Sequence, residues 1–163
     1  PDYDVLMRYR LDLLASHGLT LSAIHEVIGE LSPLPGAAEF LRALRARTQV
    51  VILSDTFEQF AAPLMAQLDR PTILCHRLVV DQDRIVDYRL RMADPKRQAV
   101  RALHALNYRV IAAGDSYNDT TMLLEADAGF LFHAPDNVKA EFPQLTALDT
   151  YDDLFAHIEA VLT

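Results

Sequence analysis

Three apolar runs of strand length, each followed by a helical stretch, constrain this chain more than any other feature. They are Gln49-Val-Val-Ile-Leu-Ser54, Tyr108-Arg-Val-Ile-Ala-Ala-Gly114 and Ala128-Gly-Phe-Leu-Phe132. Each is too short for a buried helix and too uniformly apolar for a half-exposed strand, so each predicts a strand covered on both faces. Strands alternating with helices imply an α/β fold, a doubly wound parallel sheet with helices on both sides. Such sheets bind ligands beyond the carboxyl ends of their strands. The residues just after each run are therefore the ones to inspect.

The rest of the chain supports that frame. Residues 3–17 read as an amphipathic helix with Val5, Leu6, Tyr9, Leu13 and Leu14 near one face. A second short helix carries Ile24, Val27, Ile28 and Leu31, capped by Thr20 or Ser22, and a Pro- and Gly-containing linker ends at Gly36. Residues 1–34 thus form a helical segment, and 35–163 an α/β core. Within the core, helices are predicted over 37–45, 56–68, 94–106 and 118–126, with a last one capped by Thr150. Runs 72–80 and 84–90 flank Asp81-Gln82-Asp83 and suggest a hairpin.

Composition narrows function. With 163 residues, 51% hydrophobic and 23% charged, the chain is long and apolar enough for a real core. A net charge of −8 argues against wrapping a nucleic-acid backbone. No apolar run approaches the roughly 20 residues of a membrane helix. One cysteine, Cys75, excludes an intrachain disulfide and a four-cysteine zinc site, and makes a reducing cytoplasm the default compartment.

Three strand-end segments carry chemistry. Ser54-Asp55-Thr56 offers a hydroxyl and backbone N–H groups at an expected helix start, an anion cradle. The alternative is a plain N-cap, with Glu58 completing a capping box from Asp55. Lys96, followed by Arg97, falls in the first turn of the helix opened by Asp94-Pro95, where a cation opposes the helix dipole unless an anion lies nearby. The alternative is a solvated surface lysine. Gly114-Asp115-Ser116-Tyr117-Asn118-Asp119 brings two carboxylates and an amide together after a buried strand, hard oxygen donors suited to Mg²⁺. The alternative is an Asx-rich turn. Together a hydroxyl, a lysine and a carboxylate cluster on one rim are parts that phosphoryl transfer needs. A nucleophile is the missing part: Asp2 and Asp4 are the only carboxylates before the first helix, and no apolar strand precedes them. His133 reads as a local loop residue rather than a metal ligand, and Cys75 as a buried structural thiol.

The ordered set Val50–Thr56, Asp94-Pro-Lys-Arg-Gln98, Gly114-Asp-Ser-Tyr-Asn-Asp-Thr-Thr-Met122 and Phe132-His-Ala-Pro-Asp-Asn137 resembles the haloacid dehalogenase superfamily. Within it the chain looks like the phosphoserine phosphatases, and most like their phosphoserine–homoserine phosphotransferase branch. The resemblance implies a Rossmann-like core with a small helical cap and Mg²⁺-dependent transfer through an aspartyl-phosphate. By position, Ser54 and the Asp55 N–H would hold phosphoryl oxygens, and Lys96 would neutralise developing charge. Asp115 would ligate Mg²⁺, Asn118 would contact phosphate or substrate, and Asp119 would orient Lys96. Arg10 matches the cap arginine that family members place on the substrate carboxylate; Arg8 lies on a different face. Family members open with a strand ending Asp-x-Asp or Asp-x-Glu, whose first Asp is phosphorylated. These 163 residues lack that segment, so the expectation is an inactive, poorly soluble or oligomeric chain until it is restored. Asp55-Thr56 and Ser116-Tyr117 replace the glycines common in the phosphatases, leaving water and homoserine both open as acceptor. Two other readings stand beside this one: a non-catalytic phosphate-binding module, and a phosphatase of another small phosphomonoester.

Overall fold

The computed structural model describes residues 3–162. Its elements are α1 (Tyr3–Ser16), α2 (Leu21–Gly29), α3 (Ala37–Arg45), β1 (Val51–Phe57), α4 (Glu58–Gln67), β2 (Thr72–Asp81) and β3 (Arg84–Arg89), followed by α5 (Pro95–Ala105), β4 (Ile111–Gly114), α6 (Tyr117–Glu125), β5 (Ala128–Phe132), α7 (Asp136–Glu141), β6 (Thr146–Leu148) and α8 (Tyr151–Leu162). The alternation is that of an α/β protein. The expectation for Asp2 falls outside the described residues.

The chain divides into two compact units. The first comprises 1–38 and 50–91, the second 39–49 and 92–163. In the first, β1 pairs in parallel with the start of β2, and the end of β2 pairs antiparallel with β3. The expected hairpin is present. Its two-residue turn puts Gln82 and Asp83 at φ 45° and 65°, the left-handed pair that matches strand twist. Asp83 also holds the start of α2: its carbonyl accepts from Leu21 N–H (2.8 Å) and its carboxylate from Ser22 N–H (3.0 Å). Met7, Leu11, Phe57, Leu78 and Ile85 form the core of this unit. The buried stripe of α1 therefore runs through Met7 and Leu11, one turn apart, whereas Val5 and Tyr9 are exposed. Val27 and Leu31, expected on the buried face of the second helix, are exposed too.

In the second unit, β4, β5 and β6 form a parallel sheet. Leu131 at its centre is wholly buried, with Leu123 of α6 and Val100 of α5 almost as inaccessible. α6 lies so close to β5 that a Cβ on Gly129 would sit 2.3 Å from the Leu123 carbonyl oxygen. Phe40 of α3 packs on Tyr151 and Phe155 of α8.

Two expectations are corrected. Runs 49–53 and 108–113 were expected side by side in one sheet; β1 and β4 belong to separate three-stranded sheets among the described residues. β1 finds its parallel partner in the apolar first half of β2 instead. The first strand also does not stop at residue 53: it runs through Ser54-Asp55-Thr56 to Phe57, and α4 starts at Glu58. Burial of Phe57, whose ring meets Phe60 and Tyr88, outweighs the capping preference of the three polar residues.

Candidate functional site

The carboxyl end of β4 feeds directly into α6, and this junction holds a buried ion pair. Lys96, the second residue of α5, is 9% exposed, and Asp119, in the first turn of α6, is 5% exposed. Lys96 Nζ donates to Asp119 Oδ1 at 2.7 Å. The other oxygen, Oδ2, accepts from Asp115 N–H (3.0 Å), Ser116 N–H (3.2 Å) and the Ser116 hydroxyl (3.0 Å). Burial pushes the Asp119 carboxyl up, but the Lys96 hydrogen bond and charge, with the Ser116 bonds behind them, outweigh it and hold the carboxyl below its usual value. Lys96 is thus no solvated surface lysine, and the anion that offsets its helix-end position is part of the protein. Arg97 leaves the same helix start and pairs with Glu125 at 2.7 Å.

Backbone placement makes the pair possible. Gly114 ends β4 against the Asp119 side chain: a Cβ there would lie 2.6 Å from Asp119 Cβ and 2.7 Å from its Cγ. Asp94, at φ 48°, turns the chain into α5 and accepts from the Thr121 hydroxyl at 2.9 Å, which ties the start of α5 to α6. Asp94 occupies the expected N-cap position without a side-chain cap bond.

Asp115 and Asn118 stand beside the pair and are exposed. The Asn118 amide oxygen accepts from the Ser116 hydroxyl. The Asp115 carboxylate takes no part in the network around Asp119; only its backbone N–H does. An exposed carboxylate oxygen suits Mg²⁺, which keeps several waters and takes one or two protein carboxylates. Among the described residues no group of three His, Cys, Asp or Glu side chains gathers as a metal cage. Asp115 is accordingly the residue that could hold such an ion, as one ligand in a shell completed from elsewhere.

Ser54, Asp55 and Arg10 belong to the first unit. The ladder between β1 and β2 pairs Leu53 with Leu74 and Phe57 with His76, so four steps along β1 face two along β2. Ser54-Asp55-Thr56 fills this bulge, a device that re-aims side chains at strand ends. Ser54 Oγ accepts from Thr56 N–H at 3.2 Å, and Phe57 takes the N-cap position of α4 with no side-chain cap. The capping box expected from Asp55 to Glu58 is absent because Glu58 already opens the helix; Glu58 pairs with Arg91 at 2.7 Å. Arg10 is exposed, on the rim of an apolar cavity of about 320 Å³ lined by Leu11, Leu14, Ile24, Phe57 and Phe60 among others. Arg8 is committed elsewhere, 2.7 Å from Asp87 and over the Tyr88 ring.

Two expectations outside these clusters hold. His133 is an exposed loop residue at φ 54° whose ring packs on Phe132. Cys75 is 2% exposed, and burial pushes its thiol up. The sequence reading missed Gly114 and His76 as parts of the site architecture. Gly114 was visible as a strand-end glycine, but its reason is the approach of Asp119. His76, alone in an apolar strand, carried no signal.

A family model of haloacid dehalogenase-like hydrolases matches residues 6–127. The chain is 64% identical over 155 residues to a phosphoserine phosphatase of Pseudomonas syringae pv. tomato, a match covering 94% of this chain and 65% of that protein. It is equally 64% identical over 155 residues to the phosphoserine phosphatase ThrH of Pseudomonas aeruginosa, covering 94% of this chain and 76% of that one. The chain thus spans about two thirds to three quarters of these relatives. Among solved structures, a phosphoserine phosphatase from T. onnurineus in complex with NDSB-201 superposes with a TM-score of 0.67 at 21% identity, over 86% of this chain and 66% of that one, a likeness of fold.

Proposed function

The chain belongs to the haloacid dehalogenase-like hydrolases, and on that premise we propose that it forms the greater part of a Mg²⁺-dependent enzyme that removes the phosphoryl group of phosphoserine. The buried Lys96–Asp119 pair at the end of β4, with Asp115 exposed beside it, is the observation that carries the reading. The 64% identity to proteins named phosphoserine phosphatase supports the substrate.

Each residue has a role that its surroundings support. Lys96, fixed by Asp119, presents a cation to the phosphoryl oxygens as negative charge develops there. Asp119 acts through Lys96 and through the Asp115–Ser116 backbone, so it is a positioning residue as well as a counter-charge. Ser54 Oγ–H and the Asp55 N–H, in the β1 bulge, donate to phosphoryl oxygens; Asn118 contacts phosphate or substrate. Arg10 receives the substrate carboxylate with a planar fork that an ammonium cannot imitate. Asp115 would hold Mg²⁺, which when bound supplies Lewis-acid polarisation of the phosphoryl group. The helical stretch 1–34 serves as cap to a core formed by 35–163. The attacking carboxylate belongs to the family's Asp-x-Asp or Asp-x-Glu segment, so turnover, through an aspartyl-phosphate, requires that segment joined ahead of these residues. Water is the acceptor in hydrolysis, and homoserine in the transfer variant, in the cytoplasm.

The test measures phosphate release from phosphoserine by this chain alone and by the chain extended with the family's leading segment. Only the extended protein turns over. In it, Asp115→Asn loses at least about a hundredfold in kcat/KM and binds Mg²⁺ more weakly by calorimetry. Unchanged rate and metal affinity in that variant would refute the assignment of Asp115.

A further inference from the structure

His76 is a polar side chain set into an apolar strand, and its partners define its orientation. It is 5% exposed, on β2 beside the β1 bulge. Its Nδ1 accepts from Arg91 N–H at 3.3 Å, so in the neutral ring the hydrogen sits on Nε2. Nε2 in turn faces Asp55 Oδ1 at 3.9 Å, and the Asp55 side chain is 38% exposed. One carboxylate edge therefore meets a buried imidazole while the residue stays open to a ligand. Tyr3 links this carboxylate to Arg10. Its phenol is pushed up by burial, down by the Arg10 charge and up by the Asp55 charge, so the hydroxyl lies within reach of both. A cation and an anion thus flank one aromatic ring in the first unit. That is the complement of an α-amino acid, which carries a carboxylate and an ammonium on one carbon. A simple phosphomonoester has neither.

We propose that the Asp55 carboxylate, oriented by His76, receives the substrate's α-ammonium, so that Arg10 and Asp55 read both charged ends of an amino-acid phosphate. The proposal rests on the phosphoserine reading above and deepens it. Asp55 is a binding residue and His76 a positioning residue acting through it. The carboxylate accepts N–H⁺ bonds, which are charge-assisted and stronger than neutral ones. His76 keeps the carboxylate from turning back along β1. A site built around such a bond rejects an analogue lacking its partner.

The experiment is a pair of NMR titrations of the protein, with phosphoserine and with 3-phosphooxypropionate, which keeps the phosphate and carboxylate but lacks the ammonium. Wild type should bind phosphoserine about tenfold or more tightly than the analogue. Asp55→Asn should bring the two Kd values together, chiefly by weakening phosphoserine. His76→Ala should follow Asp55→Asn, and His76→Gln, which still donates, should restore part of the preference. A merely structural role for either residue would weaken both ligands alike and leave the ratio intact, which would overturn the proposal. Equal affinities in wild type would overturn it even if phosphoserine is hydrolysed. Preference in binding without turnover in the extended protein would instead sustain it and remove the catalytic reading alone. Failure of both ligands to bind would overturn both.

Discussion

Replacing Asp119 with Asn changes almost no volume and removes one buried charge, which makes its cost a direct reading of the Lys96–Asp119 pair. At 2.7 Å and an effective dielectric near 20, the Coulomb attraction is about 6 kcal/mol, offset by desolvation of both ions. Losing one partner of a buried pair typically costs about 3–5 kcal/mol, because the other charge stays behind. Asn cannot serve all four donors. If its oxygen faces Lys96, its NH₂ confronts the Asp115 and Ser116 N–H groups and the Ser116 hydroxyl; if it faces them, the NH₂ confronts the ammonium. The expected loss in Asp119→Asn is therefore about 3–5 kcal/mol, measured by urea unfolding at neutral pH. In the double variant with Lys96→Met the ammonium is gone and the amide oxygen can turn to the three remaining donors. The double cost should then fall about 2 kcal/mol or more short of the sum of the single costs. The pH sign follows from a folded carboxyl held below its ordinary value of 3.8. Its stabilisation is full above that value and is lost as pH falls through the folded one, so the gap between wild type and Asp119→Asn should close in acid. A loss under about 1 kcal/mol with additive single costs would refute the argument that this pair organises the end of β4.

Gly114→Ala tests the same junction from the backbone side. The new Cβ would meet Asp119 Cβ, Cγ and Oδ2 at 2.6–2.8 Å, and the carboxylate cannot swing away without leaving Lys96. A loss of about 1–3 kcal/mol is expected from such overpacking, and a melting temperature equal to wild type would show that the junction yields freely. Cys75, buried and with its thiol pushed up by burial, should react with an aromatic disulfide reagent only at the rate at which its surroundings open. Prompt stoichiometric labelling of the native protein would contradict that packing.

The alternation of strand-length apolar runs with helical stretches was enough to establish an α/β chain, the hairpin at 81–83 and the N-cap role of Thr150, whose hydroxyl accepts from Asp153 N–H at 3.1 Å. These features depend on local propensity and turn chemistry, which neighbouring residues encode. The association of Lys96 with the 114–119 loop was also legible, because a cation in the first turn of a helix calls for an anion. That the anion is Asp119 rather than a ligand was decided by the packing of α5 on α6 and by the gap at Gly114. Three-residue β6 and six-residue α7 escaped notice because their sequences are too short for a period to show. Ser54-Asp55-Thr56 misled in the opposite way. In isolation these residues favour a helix cap, yet burial of Phe57 and pairing with β2 draw them into a bulged strand. The face that α1 buries likewise awaited a partner: Val5 and Tyr9 are as apolar as Met7 and Leu11, and only the hairpin and Phe57 select between them. Propensity and periodicity act along the chain, within a few residues; pairing register, the buried face and the partner of a charge are set by groups tens of residues apart, whose meeting only the folded chain brings about.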